Sequence, residues 1–282
     1  MCKKEMRVEI LQADILYEGV IVNDRFINEV TCGDSEQLIQ ELDDNSIDLL
    51  VTSPPYNVDL GYNKKHKSPY DLYQDNKEHG DYIEWLQRIF GNVKPKMVSG
   101  GRVCINIGDG KNGSVPTHSD IIQFMTHDLN YLLMTTIIWH KNQIGNRTSW
   151  GSYMSPSSPS FPSPFEYILV FAKDTKKKVG DKDNMTVSKD EFIKNSLGMW
   201  TFAPETRQKK MGLNAMFPVE LPKRLIQMLS YKDDVVFDPF SGLGTTCVTA
   251  KYLKRQYIGF EMSVDYCQRS RSRIKNGDTR LA

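Results

Sequence analysis

The stretch Val235-Val236-Phe237-Asp238-Pro239-Phe240-Ser241-Gly242-Leu243-Gly244-Thr245-Thr246 decides the fold. A short apolar run ends in an acid, a glycine-rich turn follows, and residues 245–253 then read as a helix that opens directly after the turn. Gly242 and Gly244 let the chain turn tightly and approach a ligand closely. Beyond the helix a second apolar run, 257–260, is closed by Glu261. Strand, glycine turn, helix and a second strand ending in an acid form a nucleotide-type βαβ unit. The pattern is not G-x-G-x-x-G, and no G-K-[ST] occurs in it. An adenosine with a short charged tail therefore suits it better than a dinucleotide or a triphosphate. The Glu261 carboxylate suits the two ribose hydroxyls, and Asp238 is expected beside the cationic end of the ligand.

Outward from this unit, further apolar runs read as buried strands at 47–51, 102–107, 132–139 and 167–171. Helical spacing appears at 82–97, where Ile83, Leu86, Ile89, Phe90 and Val93 share a face, and again at 119–126 and 221–229. Strands alternating with helices predict a mostly parallel sheet with helices on both faces. Three stretches break the alternation: the polar 57–80, the Ser/Gly/Pro-crowded 141–164 and the highly charged 174–212. Loops of this length in a compact domain point to function or disorder.

Residue Val51 is followed by Thr52-Ser53-Pro54-Pro55-Tyr56. The carboxyl end of a strand is where open α/β sheets place ligands. Two prolines remove two backbone donors and fix φ, so the turn is stiff. A hydroxyl precedes them and an aromatic ring follows, a rigid frame of acceptors around one planar group. A base amine fits that frame. Its lone pair is delocalised into the ring, and acceptance of its hydrogens by the Ser53 hydroxyl and the Pro54 carbonyl frees that lone pair to attack a methyl group. Tyr56 is expected to stack on the base and face a sulfonium. Positioning then supplies most of the rate without a strong general base.

The chain has 282 residues, 39% hydrophobic and 25% charged, with a formal net charge of +1, so any polyanion must be met by local rather than bulk positive charge. The opening MCKKEMRVEI lacks an apolar core, and no apolar stretch reaches membrane-span length. Five scattered cysteines without a C-x-x-C pair argue for a reducing, cytoplasmic setting rather than a disulfide framework. The few histidines have no metal-ligand spacing, and no metal is expected.

Taken together, the two constellations resemble the amino-type DNA methyltransferases of restriction–modification systems. Ser53-Pro54-Pro55-Tyr56 resembles that family's catalytic motif, Asp238 to Thr246 its cofactor motif, and Glu261 its ribose-binding acid. Catalytic motif first and cofactor motif last is the circularly permuted order of the β class. Gly33-Asp34-Ser35 resembles the element that precedes the catalytic strand. Asn214-Ala215-Met216-Phe217-Pro218 resembles the one that precedes the cofactor motif, and Asn106-Ile107-Gly108-Asp109 a later strand end. The resemblance covers roughly residues 31–274 and is weakest over 174–212.

It implies a Rossmann-like, S-adenosylmethionine-dependent methyltransferase fold with a seven-stranded-type sheet, and one catalytic domain over 1–282. It also implies a loop-rich target-recognition insert at 141–213. The cofactor would be held by Asp34 (at the adenine amine), Phe217, Pro218, Asp238, Pro239, Phe240, Ser241, Gly242, Gly244, Thr245, Thr246 and Glu261. A serine at the first catalytic position accompanies cytosine N4 in that family, and Asp or Asn accompanies adenine N6. Adenine N6, an RNA methyltransferase and a non-catalytic nucleic-acid-binding protein on the same fold are the alternatives.

The target amine lies inside a duplex stack, so the base must be flipped out. The expected DNA contacts are Lys64, Lys65, Lys67, Arg147, Trp150, Lys177, Arg207 and Lys209, in the loops that break the alternation. Arg269, Arg271 and Arg273 are expected on the exposed face of a last helix. Double-stranded DNA is the expected partner, and a cognate restriction endonuclease a possible one. Whether the chain is a monomer or a homodimer stays open.

Overall fold

The computed structural model describes residues 25–57, 76–142, 163–206 and 216–281, together with 152, 154–159 and 161. Strands β1 (Glu29–Cys32), β2 (Ile47–Thr52), β3 (Met97–Ile107), β4 (Leu132–His140), β5 (Phe165–Ala172), β6 (Met199–Thr201), β7 (Val235–Asp238) and β8 (Gln256–Glu261) form one sheet. The helices are α1 (Ser35–Leu38), α2 (His79–Val93), α3 (Thr117–Gln123), α4 (Lys189–Asn195), α5 (Glu220–Leu229), α6 (Thr245–Tyr252) and α7 (Val264–Asn276). The strand order is β1-β8-β7-β2-β3-β5-β4-β6. Only β5 runs against its neighbours β3 and β4; the other pairs are parallel.

Alternation along each strand sorts the core into two layers. Leu50, Val103, Ile105, Phe237 and Phe260 pack with Leu86, Ile89 and Phe90 of α2 on one face. Leu49, Val51, Cys104 and Val236 pack on the other face with Leu225 and Ile226 of α5, Val248 of α6 and Ile274 of α7. The near-continuous apolar runs of β2, β7 and β8 follow from burial on both faces.

Each strand read from the sequence is present, with ends shifted by up to a few residues. Helix α2 stops at Val93 because residues 94–96 tighten into a 3-10 turn around Pro95, and Met97 already belongs to β3.

The seven-stranded expectation needs a correction, because among the described residues the sheet has eight strands. The strands not read from the sequence are β1 and β6; β6 lies inside the charged 174–212 stretch, and its Trp200 is 2% exposed. The same finding narrows the loop-rich insert at 141–213, since β5, α4 and β6 from that span build the sheet and its cover. Helix α4 is opened by a capping box, Ser188 and Glu191 each accepting from the other's backbone N–H.

Parallel connections leave the sheet in opposite directions from the middle. The chain leaves β7 through α6 to β8 on one side, and leaves β2 through α2 to β3 on the other. Since β7 and β2 are neighbours, the topological switch point, with its crevice at the carboxyl edge, lies between them.

Candidate active site

The loops after β2 and β7 meet at that switch point. Thr52, the last residue of β2, donates from its hydroxyl to Oδ1 of Asp238 at 2.6 Å, and Oδ1 also receives the Phe240 N–H at 3.0 Å. Thr246 Oγ1 donates to the Val51 carbonyl at 3.2 Å. The two sequence constellations, nearly two hundred residues apart in the chain, are thus bonded directly to each other. Asp238 is 1% exposed, and burial pushes its carboxyl up to about 6, against the pull of the Thr52 and Thr246 hydroxyls. The Asp238 carboxylate is turned inward, where it locks the two motifs together.

Glu261 closes β8 and is 6% exposed. Its Oε2 accepts the Gly242 N–H at 2.9 Å and its Oε1 the Ser263 N–H at 2.8 Å. Burial raises its pKa, and those amides lower it. The Met262 amide also bonds this carboxylate, which as an acceptor suits the hydroxyls of a ribose diol. Gly242 has φ 52°, and a Cβ added there would meet nothing within 4 Å, so its face is open to a ligand. Gly244, at φ 69°, caps α6, and a Cβ there would fall 2.1 Å from Ser270 Oγ. Close packing of α7 therefore also demands glycine.

From the neighbouring strand, the Gly33 N–H donates to the Glu261 carbonyl at 2.9 Å, and Ser35 Oγ donates to the Pro239 carbonyl. Asp34 caps α1 by accepting from the Glu36 N–H and stays exposed. Phe240 is half-buried, its ring centroid 5.4 Å from that of Trp85 on α2. Phe217 and Pro218 are half-buried where the chain enters α5.

Thr245 and Thr246 are buried, with hydroxyls engaged by Arg273 and the Val51 carbonyl, and so help to hold the turn. Arg273 is not on an exposed face: it donates to the Leu243 carbonyl, the Thr245 hydroxyl and Asp278. Ser241 is likewise buried, its backbone N–H on the Phe260 carbonyl.

On the β2 side, Ser53 Oγ lies 3.0 Å from Tyr56 Oη and 3.2 Å from the Asn106 carbonyl. Tyr56 Oη donates to Glu166 at 2.9 Å. Asn106 Nδ2 donates to Tyr56 Oη at 2.7 Å and to Glu166 at 2.8 Å, and Lys141 pairs with the other Glu166 oxygen. Pro54 is buried, and the Pro55 carbonyl accepts the Tyr82 hydroxyl at 2.6 Å. Burial, with the Glu166 charge next, raises the Tyr56 pKa well above its ordinary value, so the phenol stays protonated. Its hydroxyl is committed inward to this network.

The sequence reading did not single out Glu166, Lys141 or Tyr82. The available signal was one acid inside the apolar run Phe165-Glu166-Tyr167-Ile168-Leu169-Val170-Phe171.

Lys64, Lys65, Lys67, Arg147, Trp150, Arg207 and Lys209 lie outside the described residues. The described residues that flank two of these stretches lie close to the site. Asn57 and Lys77 exchange two hydrogen bonds, 2.8 and 2.7 Å, across the base of one loop. The Lys141 N–H donates to the Pro164 carbonyl at 3.0 Å across the base of the other. Lys177 is corrected. Its neighbours Lys176 and Lys178 bond Arg102 at the start of the β3–β5 pairing and Asp48 at the start of β2. Lys177 is thus at the amino edge of the parallel strands, the opposite end of the sheet from Ser53.

The residues present fit S-adenosylmethionine: an acceptor carboxylate at Glu261, an open glycine face at Gly242, an aromatic wall at Phe240, and the exposed Asp34 carboxylate alongside. Among the described residues no helix is long and apolar enough to cross a membrane.

Residues 47–272 match the N6/N4 methyltransferase family model, described as DNA methylase. The chain is 36% identical over 185 residues to the type II methyltransferase M.MjaVI of Methanocaldococcus jannaschii, covering 65% of this chain and 90% of that one. It is 30% identical over 265 residues to M.MjaI of the same organism, covering 83% and 87%. Among solved structures it is similar to a putative DNA modification methylase of Thermus thermophilus in complex with S-adenosyl-L-methionine. The TM-score is 0.69 at 27% identity, over 88% of this chain and 93% of that one.

Proposed function

The chain belongs to the N6/N4 DNA methylase family and is an S-adenosylmethionine-dependent DNA methyltransferase, and from that premise we propose that it methylates the N4 amine of a flipped cytosine in double-stranded DNA. The observation that carries this reading is the state of Ser53. Its hydroxyl proton already has acceptors within the protein, at Tyr56 Oη and the Asn106 carbonyl. The Ser53 lone pairs are therefore left to accept from an incoming amine. A neutral hydroxyl in that place suits the cytosine amine.

When bound, the cofactor supplies an electrophilic methyl group. The residues that would hold it are Glu261, at the ribose, Gly242 and Phe240, with Asp34 at the adenine and Phe217 and Pro218 beside the charged tail. Asp238 acts through the Thr52 hydroxyl, keeping the catalytic loop in register with the cofactor loop. Ser53 and the Pro54 carbonyl accept hydrogen bonds from the two amine hydrogens and draw the nitrogen toward tetrahedral geometry; one of those protons is released once the methyl group is bonded. The stiff Pro54-Pro55 turn, pinned by Tyr82, holds those acceptors in place. The loops based at Asn57/Lys77 and at Lys141/Pro164 would hold the duplex through Lys64, Lys65, Lys67, Arg147 and Trp150, with Arg207 and Lys209 from a third stretch. Protection of host DNA, as in restriction–modification systems, is the role that follows.

The test is incubation with unmethylated DNA and labelled cofactor, followed by nucleoside mass spectrometry. N4-methylcytosine is the expected product; N6-methyladenine would keep the family and overturn the reading of Ser53. Ser53→Ala should lower kcat by about a hundredfold or more, with cofactor Kd unchanged, because a positioned acceptor is removed from the reacting nitrogen.

A further inference from the structure

A chain of hydrogen bonds has a direction, and at this site one group dictates it. An ionised carboxylate can only accept. Glu166 is held among three donors: the Tyr56 hydroxyl at 2.9 Å, Asn106 Nδ2 at 2.8 Å and the Lys141 ammonium. Tyr56 must therefore spend its single proton on Glu166. Its oxygen is left as an acceptor, filled by Asn106 Nδ2 at 2.7 Å and by the Ser53 hydroxyl at 3.0 Å. The Asn106 amide cannot turn over, since that would place its oxygen against the carboxylate. Asn106 Oδ1 is left buried without a partner, which shows how strongly the two acceptors hold Nδ2 in place.

We propose that Glu166, paired with Lys141, is a positioning residue that sets the polarity of this network and thereby keeps the lone pairs of Ser53 free for the substrate amine. This rests on the reading of Ser53 as the acceptor of the amine hydrogens. Glu166 lies two hydrogen bonds from the serine and does not itself need to touch the base. Among the described residues, the charged and titratable groups bonded to Glu166 are Lys141, from the end of β4, and Tyr56, from the loop after β2. Asn106 of β3 and Gly108 are its neutral contacts, a Cβ at Gly108 falling 3.4 Å from Glu166 Cγ. Replacing the carboxylate by an amide of the same shape would let its NH2 donate to Tyr56. The phenol proton would then turn toward Ser53 and occupy one of the lone pairs the amine needs.

The experiment compares Glu166→Gln, Lys141→Met and Ser53→Ala in single-turnover methylation across pH 5 to 9, together with cofactor Kd and thermal melting. Glu166→Gln is expected to lose roughly tenfold to a hundredfold in rate, with cofactor Kd and DNA KM within about twofold of wild type. Lys141→Met removes one of the three donors that hold the carboxylate, and should lower the rate in the same direction as Glu166→Gln. A residue that only supports the fold would change melting without lowering the rate at unchanged cofactor Kd and DNA KM. A Glu166→Gln enzyme within twofold of wild type in rate, while Ser53→Ala is inactive, overturns the assignment of Glu166 and leaves the serine reading standing. A fully active Ser53→Ala enzyme removes the serine reading and this inference with it.

Discussion

Asp238 joins the two halves of the site, and it does so at a cost in pH sensitivity. Its carboxyl is raised from 3.8 to about 6 by burial. The folded protein thus holds that proton more tightly than the unfolded chain. The resulting stabilisation is fully present below about pH 4 and is lost as the pH rises through about 6. Asp238→Asn keeps an acceptor for the Thr52 hydroxyl or the Phe240 N–H and removes the titration. The urea midpoint of wild type relative to Asp238→Asn should therefore fall between pH 4.5 and 7.5. A difference that stays constant across that interval would count against a raised Asp238. Glu261 and Ser53 were readable as residues because a strand end and an unusual turn mark them. The inward turn of Asp238 was not, because no local pattern says which way a carboxylate at a strand end will point.

At the scale of the element, β6 shows where local reading runs out. Met199-Trp200-Thr201 is too short for period-2 alternation to register, and it sits in a stretch of weak periodicity. Its place is fixed by one side chain. Trp200 packs into the layer that holds Trp139, Val219 and Leu221, donates from Nε1 to the Asn195 carbonyl at 3.0 Å, and lies under the Arg224 guanidinium. Trp200→Ala should lower stability by about 3–5 kcal/mol through the cavity it leaves, measured by urea unfolding. A loss under about 1 kcal/mol would mean β6 is peripheral. Helix α4 was legible in principle, since Ser188-Lys189-Asp190-Glu191 carries the capping-box spacing. Seven residues with a weak apolar stripe did not announce a helix by period alone. Helices α2 and α5, with a repeating apolar face, did.

The whole molecule has two ends, with different chemistry at each. The carboxyl edge of the parallel strands carries the reactive loops, and the amino edge carries a half-buried charge cluster. There Lys178 Nζ bridges Asp48 at 2.5 Å and Asp234 at 3.3 Å. Burial and then the Asp48 charge raise Asp234 to about 6, against the pull of Lys178. Lys178→Met leaves two carboxylates facing each other, and should cost roughly 3 kcal/mol at pH 8. The deficit should shrink as the pH is lowered through about 6, because protonation of Asp234 removes the repulsion. Melting temperatures of the two proteins at pH 5 and pH 8 check this; an equal deficit at both would place the loss in packing instead. A second cluster ties down the tail. Burial alone would raise Asp278, yet Arg280 and Arg273 hold it well below the usual carboxylate range, and Arg280 also reaches Glu205 just beyond β6.

The amino-acid sequence by itself determined the fold class, the βαβ unit around Asp238–Thr246, the stiff Ser53-Pro54-Pro55-Tyr56 turn and the kind of cofactor. Each of these is encoded in residues adjacent in the chain, through period, turn chemistry and strand-end position. Only the tertiary structure decided what meets what. It bonded Thr52 to Asp238, turned Arg273 inward, carried Lys177 to the far edge and brought Glu166 and Lys141 to the serine. Those outcomes depend on strand order and register. A strand's neighbours are chosen by the packing of two whole layers, and no short segment carries that information.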